Sequence, residues 1–162
     1  GHFREWFRNE SIQEATGIDF EVKQSNLSVS KAGVIRGIHF SKAVGGQSKW
    51  VTCVTGEILD VIVDVRPTSP TFGEHISIKL KGGEGYSVLI SKGLGHGFIA
   101  LEENTFVSYL LDSPYSPENE YGINPLDSDL KIDWRYPSSK MVLSSKDFNA
   151  ISFAEFAAEI NH

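Results

Sequence analysis

"KWVTCVTGEILDVIVDVR", residues 49–66, decides the fold of this 162-residue chain. Two runs rich in β-branched residues meet at one glycine, Gly56. In the first run Lys49, Val51 and Cys53 fall on one face, with Trp50, Thr52 and Val54 on the other. In the second, Leu59, Val61, Val63 and Val65 alternate with Asp60, Ile62, Asp64 and Arg66. A period of two belongs to strands, because successive Cβ atoms point to opposite faces of a sheet. One face of the second strand is purely apolar, and the other mixes isoleucine with carboxylates. Burying an unpaired charge costs on the order of several kcal/mol. An interior that carries Lys49, Asp60 and Asp64 is therefore expected to hold a polar site. Asp60 and Asp64 themselves read as supporting or pairing charges.

The same pattern continues outward from this stretch. "DFEVKQSNLSVS", "HISIKL", "YSVLIS", "GFIAL" and "TFVSYLL" read as further short strands. Turn formers separate them in "RPTSPTFG", "KGGEG", "SKGLG", "LEEN" and "DSPYSPENEYG". Many short strands at this spacing predict an antiparallel β-sandwich or barrel. Helix is expected in only two places, "NESIQEATG" and "SFAEFAAEI". In the second, Ser152 would be the N-cap and Glu155 would complete a capping box. No repeat or linker divides the chain, and its length suits a single domain spanning residues 1–162.

Composition limits the function. The net charge of −6 argues against a general nucleic-acid binder, whose affinity needs a basic footprint. It leaves room for a local basic pocket that takes one phosphorylated small molecule. No apolar run approaches the roughly 18 residues of a membrane helix, so no membrane partner is expected. The one cysteine, Cys53, permits no intrachain disulfide and fits a cytoplasmic setting.

The histidines carry the chemistry. "GVIRGIHF" sets His39 three residues after Arg36 and ten before Lys49. Small β-barrels often bind metal through an H-x-H pair, but Ser41 and Gly37 flank His39 at those positions. His96 could be the distant histidine of such a site, but two imidazoles without a nearby carboxylate make a poor metal site. No metal or other cofactor is expected. His39 then reads either as a general base that titrates near neutral pH or as a hydrogen-bonded structural residue.

"GVIRGIHF", "KWVTCVTGEILDVIVDVRPTSPTFG", "GLGHGFIAL", "SYLLDSPYSPENE" and "LSSKD" occur in that order. Together they resemble the dTDP-4-dehydrorhamnose 3,5-epimerase family and its relatives that epimerise other dTDP-4-keto-6-deoxy sugars. The resemblance runs from about residue 1 to residue 150. It implies an all-β, jelly-roll (cupin-like) fold, no metal and a homodimer. The chain would lack the family's extreme N-terminal strand segment and some C-terminal residues. The activity implied is 3,5-epimerisation of dTDP-4-dehydro-6-deoxy-D-glucose, on the way to dTDP-L-rhamnose. A 3- or 5-specific relative is the alternative, and a non-catalytic nucleotide-sugar-binding module is a third possibility.

The resemblance also implies roles, each with a bland alternative beside it. His39 would be the base, and Asp147 in "LSSKD" its orienting carboxylate, unless Asp147 is a helix-cap or loop charge. Tyr109 would donate a proton to the opposite face of the sugar, unless it is only a barrel aromatic with a bonded hydroxyl. Lys49 would stabilise the enolate, unless it is an edge-strand lysine. Arg36, His96 and Lys146 would contact phosphate or sugar, and Gln24 and Asn26 the substrate. Phe3 and Glu5 would contribute to the nucleoside pocket from a strand that crosses to a partner subunit, with Tyr115 and Glu120 as further ligand contacts. This sequence departs from the family pattern at Ser41, where glutamine is usual, and in "GINPLDSDL", which lacks the usual tryptophan.

Overall fold

The computed structural model describes residues 1, 3–43 and 45–160. An N-terminal helix, α1 (Asn9–Thr16), precedes strands β1 (Gln24–Ser30), β2 (Ile35–Ser41), β3 (Lys49–Thr55), β4 (Glu57–Asp64) and β5 (His75–Lys81). There follow β6 (Val88–Ile90), β7 (Leu94–Ala100), β8 (Thr105–Leu111) and β9 (Glu120–Gly122). Two short helices, α2 (Ser145–Phe148) and α3 (Phe153–Ile160), end the described chain. The strands form two antiparallel sheets. One is four-stranded, in the order β1-β8-β3-β6, and the other is five-stranded, in the order β5-β4-β7-β2-β9. This is the all-β sandwich expected from the strand pattern, with the jelly-roll (cupin-like) architecture.

The stretch at 49–66 lies at the centre of both sheets. β3 and β4 leave Gly56, whose positive φ of 80° favours glycine, and enter opposite sheets. The mixed face of β4 turns inward. There Ile58 and Ile62 pack with Val51, Cys53, Phe98 and Val107 across the gap between the sheets. The purely apolar face turns outward, where Leu59, Val61, Val63 and Val65 pack with Trp134 and Phe156 from the C-terminal segment. β4 is thus covered on both sides, which explains its near-continuous apolar run.

The ends of the sandwich are tied down locally. Asp64 does not enter the inner site. Its carboxylate accepts hydrogen bonds from Arg66 Nη2 at 2.6 Å, Thr71 Oγ1 at 2.6 Å and Ser69 Oγ at 2.5 Å, organising the turn after β4. These donors, Arg66 foremost, hold its carboxyl well below the usual carboxylate range. The capping box is present: Ser152 N donates to Glu155 Oε2 at 2.7 Å, and Glu155 N donates to Ser152 Oγ at 3.1 Å. Among the described residues no helix is long and apolar enough to cross a membrane.

Candidate active site

β2 brings the first functional group into the gap. Its register shifts between Arg36 and His39. Gly37 takes φ 126°, and a Cβ there would lie 2.4 Å from Gly97 Cα on β7. The glycine of "RGIH" therefore lets β2 press against β7 and turns His39 toward its cross-strand neighbour His96. On the other side of β2, His39 faces Gly122 of β9.

Each imidazole has its own carboxylate. His39 Nε2 lies 2.6 Å from Asp147 Oδ1, and His96 Nε2 lies 2.6 Å from Asp60 Oδ1. Asp147 reaches His39 from α2, a helix too short for sequence periodicity to announce. Ser144 caps that helix by accepting from Asp147 N at 3.0 Å, so the cap fixes the residue whose side chain meets the histidine. Burial pushes the Asp147 carboxyl up, but the hydrogen bond and charge of His39, the Ser144 hydroxyl and the Gly37 N–H outweigh it, leaving the pKa lowered. With Asp147 ionised, the proton of a neutral His39 ring sits on Nε2, and Nδ1 is left as an acceptor.

The facing sheet supplies Lys49 from β3 and Tyr109 from β8. The two sheets enclose a cavity of about 450 Å³ lined by His39, Asp147, Lys49, Tyr109, Arg36 and His96, among others. Its volume suits a small-molecule site. Lys49 is only 7% exposed, and its Nζ donates to the His39 carbonyl at 3.3 Å. Burial lowers its pKa, against the opposing pull of Glu120 and Asp60. Burial raises that of Tyr109, which Arg36 and a hydrogen bond with Asn26 partly counter. A buried lysine and a tyrosine hydroxyl line one cavity with a His–Asp pair. That set can take a proton from carbon, hold an oxyanion and return a proton.

The other expected residues divide into three groups. Arg36 and Lys146 line the same cavity. Arg36 is anchored through Nε to Ser30 Oγ at 3.0 Å. Gln24, Asn26 and Tyr115 form a hydrogen-bonded chain leading to Tyr109. Tyr115 N donates to Gln24 Oε1 at 2.8 Å, and Gln24 Nε2 donates to Asn26 Oδ1 at 3.0 Å. Glu120 lines a neighbouring hollow that shares His39 and Asp147 with the main cavity. Phe3 and Glu5 lie outside the cavity within this single chain: Phe3 is 96% exposed and Glu5 pairs with Arg8 at 2.6 Å. Among the described residues no cluster of three or more histidine, cysteine or carboxylate side chains is placed to hold a metal ion.

Sequence reasoning passed over Ser144 and the apolar wall of Val34, Ile35, Phe98, Val142 and Leu143. Ser144 stands within "LSSKD", three residues before Asp147, at the spacing of an N-cap. The wall carries no comparable signal, because core and pocket use the same residue types.

Comparison with known proteins bears on this geometry. The sequence profile described as dTDP-4-dehydrorhamnose 3,5-epimerase matches residues 1–155. A dTDP-4-dehydrorhamnose 3,5-epimerase of Mycolicibacterium smegmatis is 42% identical over 98% of this chain and 77% of its own length. A dTDP-4-dehydrorhamnose 3-epimerase of Streptomyces niveus is also 42% identical, over 96% of this chain and 74% of its own. The solved structure of the rmlC epimerase of Mycobacterium tuberculosis superimposes with a TM-score of 0.93 at 40% identity. That superposition covers 97% of this chain and 79% of the other.

Proposed function

The chain belongs to the dTDP-4-dehydrorhamnose 3,5-epimerase family, and we propose on that premise that this isomerase inverts C3 and C5 of dTDP-4-dehydro-6-deoxy-D-glucose in dTDP-L-rhamnose biosynthesis. The observation that carries this reading is the His39–Asp147 pair facing Lys49 and Tyr109 across one cavity. The C4 ketone acidifies the protons on C3 and C5. His39 takes one of them at Nδ1, while Asp147 holds the ring through Nε2. Negative charge moves to the C4 oxygen, where the Lys49 ammonium stabilises it. Tyr109 then gives its hydroxyl proton to the other face of the same carbon. Arg36, His96 and Lys146 serve the diphosphate and sugar, and Arg36 can bond two oxygens at once through its planar fork. Gln24, Asn26, Tyr115 and Glu120 complete the substrate contacts.

A homodimer belongs to the same reading, with Phe3 and Glu5 serving the nucleoside pocket of a second copy. The near-complete exposure of Phe3 supports it, as do Leu27 and Val29, exposed on the edge strand β1. Light scattering tests it: a fully active monomer would contradict it. Residues 1–162 are read as one epimerase domain, and the free Cys53 fits a cytoplasmic setting.

A second reading has its own support. The Streptomyces niveus 3-epimerase is as similar in sequence as the Mycolicibacterium 3,5-epimerase, so single-position epimerisation fits the same equipment. A non-catalytic sugar-binding module has no need for the paired base. Incubating the dTDP-4-keto sugar with the protein in heavy water separates the three, since deuterium enters both carbons, one or neither.

A further inference from the structure

Among the residues of α2 only Asp147 is buried. Ser145, Lys146 and Phe148 are exposed, and the Phe148 ring, the helix's one large apolar group, is 64% exposed. The helix therefore sends no apolar side chain into the core, and a single turn has too few internal bonds to hold itself. Its place has to come from polar bonds at its two ends. The Ser144 hydroxyl supplies the first, at the N-terminus.

The second comes from Asn124, in the stretch "GINPLDSDL" that the proposed function leaves unused. A helix cannot satisfy its own last carbonyls. Asn124 Nδ2 donates to the carbonyl of Phe148, the residue after Asp147, at 2.9 Å. Asn124 Oδ1 accepts from Leu126 N at 2.9 Å, which holds the amide in that orientation. The backbone N–H of Asn124 donates to the Ile151 carbonyl, also at 2.9 Å. Its neighbour Ile123 is fully buried and exchanges two backbone bonds with Ile38, at 3.0 Å and 3.1 Å. Ile38 is the residue before His39. One dipeptide, Ile123–Asn124, thus joins the chain neighbour of His39 to the chain neighbour of Asp147. Asn124 does not itself line the cavity.

We infer that Asn124 is a positioning residue for the epimerisation: it pins the C-terminal end of α2 to the strand beside His39 and so sets the approach of Asp147 to the base. The inference rests on the function proposed above, in which that pair takes the sugar's proton. Ser144 and Asn124 hold opposite ends of the same turn. Without Asn124 the turn would pivot about its capped end, and Asp147 would move more than Lys146, which lies nearer the cap.

Asn124→Ser keeps a short side-chain acceptor for Leu126 N–H but cannot reach Phe148. Turnover of the dTDP-4-keto sugar is measured in Asn124→Ser, in Asp147→Asn and in the double variant. Asn124→Ser should lower kcat roughly tenfold to a hundredfold, the scale for a reacting group displaced by about an ångström, with KM little changed. In the Asp147→Asn background the same substitution should cost almost nothing further, because no carboxylate remains to be placed. A mere loss of folded protein would lower kcat by the same factor in both backgrounds. Equal factors in the two backgrounds, wild-type kcat in Asn124→Ser, or a raised KM with unchanged kcat would overturn the inference. If circular dichroism shows Asn124→Ser unfolded, Asn124→Asp takes its place in the same cycle, since its carboxylate keeps the Leu126 bond and offers Phe148 no donor. Unfolding of both variants overturns the inference and makes Asn124 a residue of the fold alone. A wild-type protein that takes no deuterium into C3 or C5 overturns the proposed function and this inference together, whereas the cycle bears on the inference alone.

Discussion

His39 and Asp147, 108 positions apart in the chain, meet at 2.6 Å between Nε2 and Oδ1, and the helix that delivers Asp147 is four residues long. A base needs a fixed ring and a defined tautomer, and this contact supplies both. The short helix adds precision, because the Ser144 cap holds the backbone of the residue that holds the histidine.

Asp147→Asn should fold and lose roughly 10³–10⁴ in kcat, the scale seen when the carboxylate of a His–Asp pair becomes an amide. Stability gives a second readout. Because the folded pKa of Asp147 is lowered, its contribution is complete above the unfolded value of about 4 and is lost as pH falls through the folded value. The gap in Tm between wild type and variant should therefore narrow in acid. A gap that is constant from neutral pH into acid, or full activity in the variant, would separate Asp147 from His39.

Lys49→Ala should lower kcat by roughly 10²–10³, comparable to removing an oxyanion donor, while dTDP binding changes little. Calorimetry with dTDP and steady-state kinetics check the two halves. Normal turnover would return Lys49 to a structural role on β3.

Tyr109→Phe should separate the two proton transfers. His39 remains able to exchange the substrate proton with solvent deuterium, while inversion slows because no hydroxyl serves the opposite face. NMR of the recovered sugar distinguishes exchange with retention from exchange with inversion. Inversion at the wild-type rate would assign the acid to another group.

Gly37→Ala should be costly for two reasons. Its φ of 126° suits only glycine, and the added Cβ would lie 2.4 Å from Gly97 Cα. Stability should fall by about 2 kcal/mol or more. Activity should fall further than unfolding explains, because β2 would carry His39 away from Asp147. Urea titration and kcat measured well below Tm test this, and an unchanged urea midpoint would contradict it.

The fold was legible because β4 alternates apolar and mixed residues, and because turn formers separate the other strands. Strand β8 coincides with "TFVSYLL", and the capping box at Ser152 is present. The site was legible in part. His39, Lys49, Arg36, His96, Tyr109, Lys146 and Asp147, all implied by the family resemblance, line one cavity. The pairing of His96 with Asp60 was not legible, since it depends on β4 and β7 lying side by side with Ile62 opposite His96. Helix α2 was missed because four residues carry no periodicity. Phe3 and Glu5 do not line that cavity within this chain, and only the proposed dimer would give them a place in it.

Solvent deuterium should enter the sugar through His39. Wild-type protein and His39→Ala are incubated with dTDP-4-dehydro-6-deoxy-D-glucose in heavy water, and C3 and C5 are read by NMR and mass spectrometry. Deuterium should appear at both carbons with wild type and at neither with His39→Ala. Wild-type label at neither carbon, or undiminished label at both in His39→Ala, would contradict it.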